Sequence, residues 1–300
     1  MVSQNKLLCY ITKPVVRLMD EHKPTIYEPD RSIKQGYIAL WKEIFRDMKE
    51  SSWLIRQLFL RDFKAQYSQS LLGFFWAFII PLATLGTFIV LRSSGIFTGG
   101  DIMVPYVIYA LLGLTFWQLF AMGIIQSTNS LVSAGSMIRK INFPRESLVF
   151  ASFGNAIFSF LLQMIIVFIL FGVYGFIPHW KFVVFPLMAI PLLLLTCGLG
   201  FIFSIINGVI RDLGRLLTLG LTFILFITPI AYERPDTGFV SMLAGINPLY
   251  YLSVAPRDIA LTGTLSHPLG YFISCSISIL VFFFCWIIFH LTETRIAERI

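Results

Sequence analysis

The chain has few charges for its size. Only 13% of its 300 residues are Asp, Glu, Lys or Arg, about half the share of a soluble domain. A water-soluble fold of this length needs a polar surface. A chain that is 57% hydrophobic, with mean hydropathy +0.79, does not supply one. A lipid-embedded surface removes that requirement. Cysteine is also scarce: Cys9, Cys197, Cys275 and Cys285 form no CxxC pair and have no histidine at metal spacing. They are expected to act as small apolar packing residues. The first 15 residues carry basic groups but no continuous apolar core or small-residue cleavage site. Retention of the polar, mixed-charge leader is therefore expected.

Other absences narrow the function. No Asp, Glu, Lys or Arg lies near the middle of any long apolar run. Carriers driven by protons or sodium need such groups to couple ion and substrate. Asp62, Asp101, Asp212, Asp236 and Asp258 stand apart from one another. The paired carboxylates or metal ligands of a membrane glycosyltransferase or phosphatase are thus missing. The phosphate-binding pattern GxxxxGK[ST] is absent too. Nucleotide-powered transport would require an ATPase on another polypeptide.

Six apolar runs are present: Leu71–Leu91, Met103–Gln126, Ser147–Phe176, Phe182–Ile210, Leu216–Tyr232 and His267–Leu291. A helical span needs about 20 residues and at least roughly 17, so the fifth run only just qualifies. The expected fold is an all-α membrane protein with six transmembrane helices. Residues 1–36, broken by Pro14, Pro24, Pro29 and Gly36, read as a polar cytoplasmic leader. Residues 37–70 read as amphipathic interfacial helices, and 71–300 as the six-span domain. Trp41, Ile44, Phe45 and Met48 make one helical stripe, and Ile55, Phe59, Phe63 and Tyr67 make another. Arg56, Arg61 and Lys64 lie between the residues of the second stripe, as expected for a helix in the headgroup region.

Charge sets the orientation. Nineteen of the 23 Lys and Arg residues fall in the termini and in the loops near 129–145 and 208–216. The other side holds four: Arg92, Lys181, Arg234 and Arg257. The positive-inside bias places both termini in the cytoplasm. The net charge of +7 is then a topology signal and not a nucleic-acid footprint. Glu233–Ser266 faces outward, yet contains FVSMLAGINPLYYLSVA, broken by Gly245, Pro248 and Pro256. A continuous span there would leave backbone groups unpaired in lipid. Re-entrant short helices or an outer cap between spans 5 and 6 are expected, with a further span as the alternative.

Aromatic residues are plentiful, at 16% of the chain. Phe75, Trp76, Tyr106, Tyr109, Phe116, Trp117, Tyr250 and Tyr251 are candidates for stacking on the apolar faces of sugars along an export path. Helix packing and interface belts are the competing explanation.

The segment LFLRDFKAQYSQSLLGFFWAFIIPL, Leu58–Leu82, resembles the opening of permease subunits of polysaccharide-exporting ATP-binding-cassette (ABC) transporters. That family shows a pattern similar to RDxKxxYxxSxLGxxWxxxxPL. Here Arg61, Asp62, Lys64, Tyr67, Ser70, Leu72, Gly73, Trp76, Pro81 and Leu82 occupy it. IRKINFPRE at Ile138–Glu146 is similar to the family's cytoplasmic coupling segment. INPLYYL at Ile246–Leu252 is similar to its outer loop. The resemblance covers about residues 40–295 and implies an ABC-2 type permease in the bacterial inner membrane.

It further implies a homodimer bound to two ABC ATPase subunits, which hold the ATP and Mg. No cofactor is expected on this chain. The implied cargo is a lipid-linked polysaccharide on undecaprenyl diphosphate. O-antigen is favoured among O-antigen, capsule and teichoic acid. Ser136, Met137, Ile138, Arg139, Lys140, Phe143 and Pro144 would couple to the ATPase. Arg56, Arg61 and Lys64 would attract the lipid diphosphate, since phosphate favours Arg and Lys partners. A drug or lipid exporter, a polyprenyl-dependent enzyme and a non-channel structural subunit remain alternatives.

Overall fold

A computed structural model describes residues 37–68, 75–95, 104–138, 140 and 143–296. The leader 1–36 and Arg139 therefore lie outside the described residues. The chain divides into two compact units, Met1–Glu43 and Ile44–Ile300. Of the first, only the beginning of a helix is described. All regular structure among the described residues is helical. In chain order the helices are α1 Tyr37–Glu50, α2 Ser52–Ser68, α3 Trp76–Ser93 and α4 Tyr106–Ser133. They continue with the short α5 Gly135–Ile138, then α6 Glu146–Val173 and α7 Phe185–Val209. The series ends with α8 Leu213–Ile227, α9 Phe239–Ile246, α10 Pro248–Leu261 and α11 Pro268–Ile296. A 3-10 turn, Trp180–Val184, leads into α7.

Among the described residues, five segments are long and apolar enough to cross a membrane: α3, α4, α6, Trp180–Val209 and Pro268–Thr292. The 28 residues of α4 reach about 42 Å, more than a hydrocarbon core of about 30 Å. In the fifth run the helix starts earlier and stops sooner than hydropathy suggests. It occupies Leu213–Ile227 and has 15 residues. Pro229 follows two residues later, and the residue before a proline disfavours helical backbone, so Thr228 is extended. The following stretch is not helical, yet Ile230, Ala231 and Tyr232 are buried. Irregular backbone at membrane depth is tolerated when protein covers it.

α4 forms the centre of the bundle. Of its most apolar 18-residue stretch, 83% is buried, against 17% for α3. Small residues let its neighbours approach. A Cβ on Gly123 would stand 2.5 Å from Thr196 Cγ2 of α7, and one on Gly200 of α7 would stand 2.6 Å from Ser127 Cβ. On the other side of α7, a Cβ on Gly198 would meet the Phe282 Cα of α11 at 2.7 Å. Such crossings are how helices associate where lipid removes the hydrophobic driving force. Aromatic rings fill the wider gaps: Phe116 packs edge-on against Phe160 and Phe185 at centroid distances of 5.5 and 5.0 Å.

The segment Glu233–Ser266 contains two short helices, α9 and α10, separated by Asn247. The Asn247 side chain caps α10 by accepting from Leu249 N at 3.0 Å, and Pro248 opens that helix. Proline suits the first helical position because its missing N–H has no helical partner there.

Candidate functional site

The basic helix and the loop after α4 meet. α2 lies on α6: a Cβ on Gly154 would touch the Phe59 ring at 3.1 Å, and Phe63 packs edge-on against Phe158 at 4.7 Å. That docking leaves Arg56, Arg61 and Lys64 exposed. Arg61 Nη1 donates to Met137 Sδ of α5 at 3.4 Å, while its Nη2 pairs with Asp62 at 2.8 Å. A residue of the expected rim thus touches a residue of the expected coupling segment. Arg56 and Lys64 are exposed on the same helix.

Within residues 136–144, the segment expected to couple, α5 is a single turn closed by Met137 N and Ile138 N donating to Ala134 O. Ile138 is buried, whereas Ser136 and Lys140 are exposed. Phe143 and Pro144 are half-buried immediately before α6. The first residue of α6, Glu146, is 2% exposed. Its carboxylate meets His290 Nδ1 of α11 at 2.9 Å. A carboxylate in the first turn of a helix also complements the helix dipole.

A second buried polar link closes the same end of the bundle. Asn207 donates to Thr128 O at 3.1 Å and Asn129 Oδ1 at 3.2 Å. Its own Oδ1 accepts from Gly214 N at 3.1 Å. One side chain of α7 therefore ties the start of α8 to the C-terminal part of α4. Neither link was visible in the sequence, where Glu146, His290 and Asn207 have no neighbours in register.

The opposite end differs in kind. All four cations assigned there by charge counting are engaged. Arg92 lies over the Tyr106 ring at 4.2 Å, and the Tyr106 hydroxyl donates to Phe88 O at 3.4 Å. Lys181 Nζ donates to Gly263 O at 2.7 Å. Arg234 donates to Ser241 O at 2.9 Å and lies 5.7 Å from the Tyr250 centroid. Arg257, 4% exposed, lies 3.9 Å from the Tyr109 centroid and donates to Ile230 O at 2.7 Å. It also pairs with Asp258 at 3.3 Å, whose other oxygen accepts from Ser266. Arg257 thereby joins α10 to α4 and to the irregular stretch after α8. Burial pushes the Tyr250 hydroxyl above its ordinary value, while the guanidinium groups of Arg257 and Arg234 pull it down.

The aromatic candidates separate by burial. Phe116 and Trp117 lie in the core at 0% and 4% exposure, and Tyr109 is covered by Arg257. Tyr250 and Tyr251 form an edge-to-face pair with centroids 5.2 Å apart, each about 6.1 Å from His267. Phe75 and Trp76 are exposed at the start of α3. Hydropathy gives no sign of this division, because every one of these rings sits in or beside an apolar run.

Residues 54–261 match the ABC-2 type transporter family. The chain belongs to that family. It is 31% identical over 217 residues to an O-antigen export system permease protein RfbA of Klebsiella pneumoniae, covering 69% of this chain and 80% of the relative. A second Klebsiella pneumoniae protein of that name is 28% identical over 218 residues, with the same coverage. The RfbA permease of Myxococcus xanthus is 25% identical over 219 residues, covering 72% of this chain and 83% of the relative. The ABC-2 match includes most of α2, residues 136–144, α8, α9 and α10.

Proposed function

We propose that this chain is the permease of an ATP-driven exporter that carries lipid-linked O-antigen polysaccharide across the bacterial inner membrane. The observation that carries the reading is its likeness to three O-antigen export permeases across at least 80% of each relative's length.

In this reading the chain crosses the membrane six times with both termini in the cytoplasm. The fifth crossing is α8 completed by the buried stretch after Thr228. α1 and α2 lie at the cytoplasmic interface, and α9 and α10 dip back from the outer face. Two copies enclose the path, with α3, the least covered span of the protomer, facing the second copy. A separate ABC ATPase, one per chain, binds ATP and Mg. This chain carries no cofactor and performs no catalysis.

Arg56, Arg61 and Lys64 would attract the diphosphate of the undecaprenyl carrier, because arginine and lysine pair strongly with phosphate. The ATPase would press on residues 136–144, including Arg139 and Lys140. The Arg61–Met137 contact would carry that displacement directly to the basic rim. Phe75 and Trp76, exposed in the protomer, are the aromatic residues best placed to meet sugar. Tyr106, Tyr109, Tyr250 and Tyr251 belong to the outer gate in this reading, and Phe116 and Trp117 support the gate from the core.

Deleting the gene in its own host tests the substrate. Loss of long-chain surface polysaccharide, with lipid-linked polymer accumulating inside and restoration by the intact gene, is expected. Unchanged surface polysaccharide would overturn the assignment.

A further inference from the structure

An apolar groove of about 480 Å³ opens on the flank of the bundle between α7 and α11. Leu187 and Leu194 form one wall, Phe272 and Ile279 the other, with Tyr271 at the floor. Of its lining residues, three carry polar side-chain groups: Tyr271, Cys275 and, at the mouth where the 3-10 turn enters α7, Lys181. The Tyr271 hydroxyl already donates to Met188 O at 3.4 Å. We propose that this groove holds one acyl chain of a glycerophospholipid, whose phosphate is met by Lys181.

Four observations point to that occupant. The volume lies within the range of ligand cavities, about 300–1,000 Å³, and a lining this apolar offers water too few partners to stay filled. The walls face away from the bundle, since Leu187 and Phe272 are 64% and 62% exposed. The groove runs from Val184, at the end of the 3-10 turn, along α7 to Leu194, about 15 Å at 1.5 Å per residue. That is close to half of the roughly 30 Å hydrocarbon core, the depth of one leaflet.

The mouth has the chemistry of a headgroup. Lys181 has three N–H donors and its hydrogen bond to Gly263 O uses one, which leaves donors for a phosphate oxygen. Two further contacts hold the mouth in place. His179 N donates to Ala260 O at 3.0 Å. Gly263, at φ 73°, lies where a Cβ would fall 2.5 Å from the His179 ring. Trp180, 75% exposed, sits beside Lys181 as tryptophan does at membrane interfaces. A sugar polymer would find almost no polar partners in this groove. A second copy of the chain would have to seat hydrocarbon against the Lys181 ammonium. A phospholipid satisfies both the apolar walls and the charged mouth.

The test uses the full chain purified with its bound partners, stripped of lipid and titrated with dioleoylphosphatidylglycerol under native mass spectrometry. One tightly held lipid per chain is expected. Lys181→Gln should weaken it about fivefold, the worth of one lysine near a phosphate surface. Leu187→Trp, which fills the groove, should abolish it. Photoactivatable phosphatidylglycerol on the unaltered chain should label peptides 184–194 and 271–279, which needs no variant to fold. Labelling confined to other helices, or equal retention by Leu187→Trp, would overturn the proposal. Loss of chain–chain association in Leu187→Trp would instead assign the groove to a second copy. The orientation proposed above decides only which leaflet supplies the lipid. Failure of the labelling leaves the exporter reading intact, and failure of that reading leaves the groove.

Discussion

The Arg257 guanidinium lies 3.9 Å from the centre of the Tyr109 ring, sealed from solvent between α10 and α4. A charge so placed costs several kcal/mol to desolvate, and it is tolerated where partners compensate it. Here Nη1 donates to Ile230 O, Nε and Nη2 donate to Asp258, and the Tyr109 face meets the cation. α10 is therefore held to α4 and to the stretch after α8 by a directional lock and not by apolar contact alone.

Replacing Arg257 with Met should leave Asp258 and Ile230 O without their partner. Breaking a buried ion pair from one side costs about 3–5 kcal/mol, so the detergent-solubilised protein should lose a large part of its thermal stability. Arg257→Lys should recover little, because an ammonium cannot reproduce the planar fork that bridges carbonyl, carboxylate and ring. Thermal melting of the three proteins decides this, and equal midpoints would dismiss the lock.

Glu146 and His290 are 144 residues apart in sequence and 2.9 Å apart in space. A double-mutant cycle with Glu146→Gln and His290→Gln should show coupling of about 0.5–3 kcal/mol, as found for contacting polar pairs. Additive losses in unfolding free energy would mean that the two side chains act separately.

At the basic rim, Arg61→Ala combined with Lys64→Ala should reduce export while leaving membrane insertion and ATPase binding intact. These side chains face outward from α2 and contribute little to packing, and exposed ion pairs are worth only about 0–1 kcal/mol. Surface polysaccharide measured against the amount of assembled complex tests it. Normal export by the double variant would remove the rim from the mechanism.

Gly198 and Gly172 make a matched pair. A Cβ at Gly198 meets the Phe282 backbone at 2.7 Å, whereas one at Gly172 meets nothing within 4 Å. Gly198→Ala must push α7 and α11 apart, and overpacking of that kind costs about 1–3 kcal/mol. Gly172→Ala should be neutral or slightly stabilising, since alanine favours helix by up to about 1 kcal/mol. Equal melting of the two variants would contradict the tight α7–α11 crossing.

Hydropathy alone made most of the fold legible. The runs containing α3, α4, α6, α7 and α11 are long and uncharged, and lipid thickness leaves few other ways to place them. Pro248 marked the break between α9 and α10, because proline opens a helix and cannot continue the one before it; Gly245 and Pro256, also read as breaks, lie inside α9 and α10. The fifth run was harder: Leu216–Tyr232 reads as continuous, but Pro229 ends the helix at Ile227, and only tertiary burial makes the remaining stretch acceptable. The approach of Arg61 to Met137 follows from α2 docking on α6, a long-range event that no local pattern reports. The burial of Phe116 and Trp117, against the exposure of Phe75 and Trp76, has the same origin. An apolar ring is equally suited to core, lipid or sugar until its neighbours are known.

The central claim is that this chain converts the work of a separate ATPase into movement of a polymer. Affinity purification of the tagged chain from its own host in mild detergent, with its partners quantified, tests it most directly. One ABC ATPase per permease chain, in a particle containing two of each, is the predicted result. Recovery of the intact chain with no ATPase, while a candidate ATPase is expressed in the same cells, would contradict it.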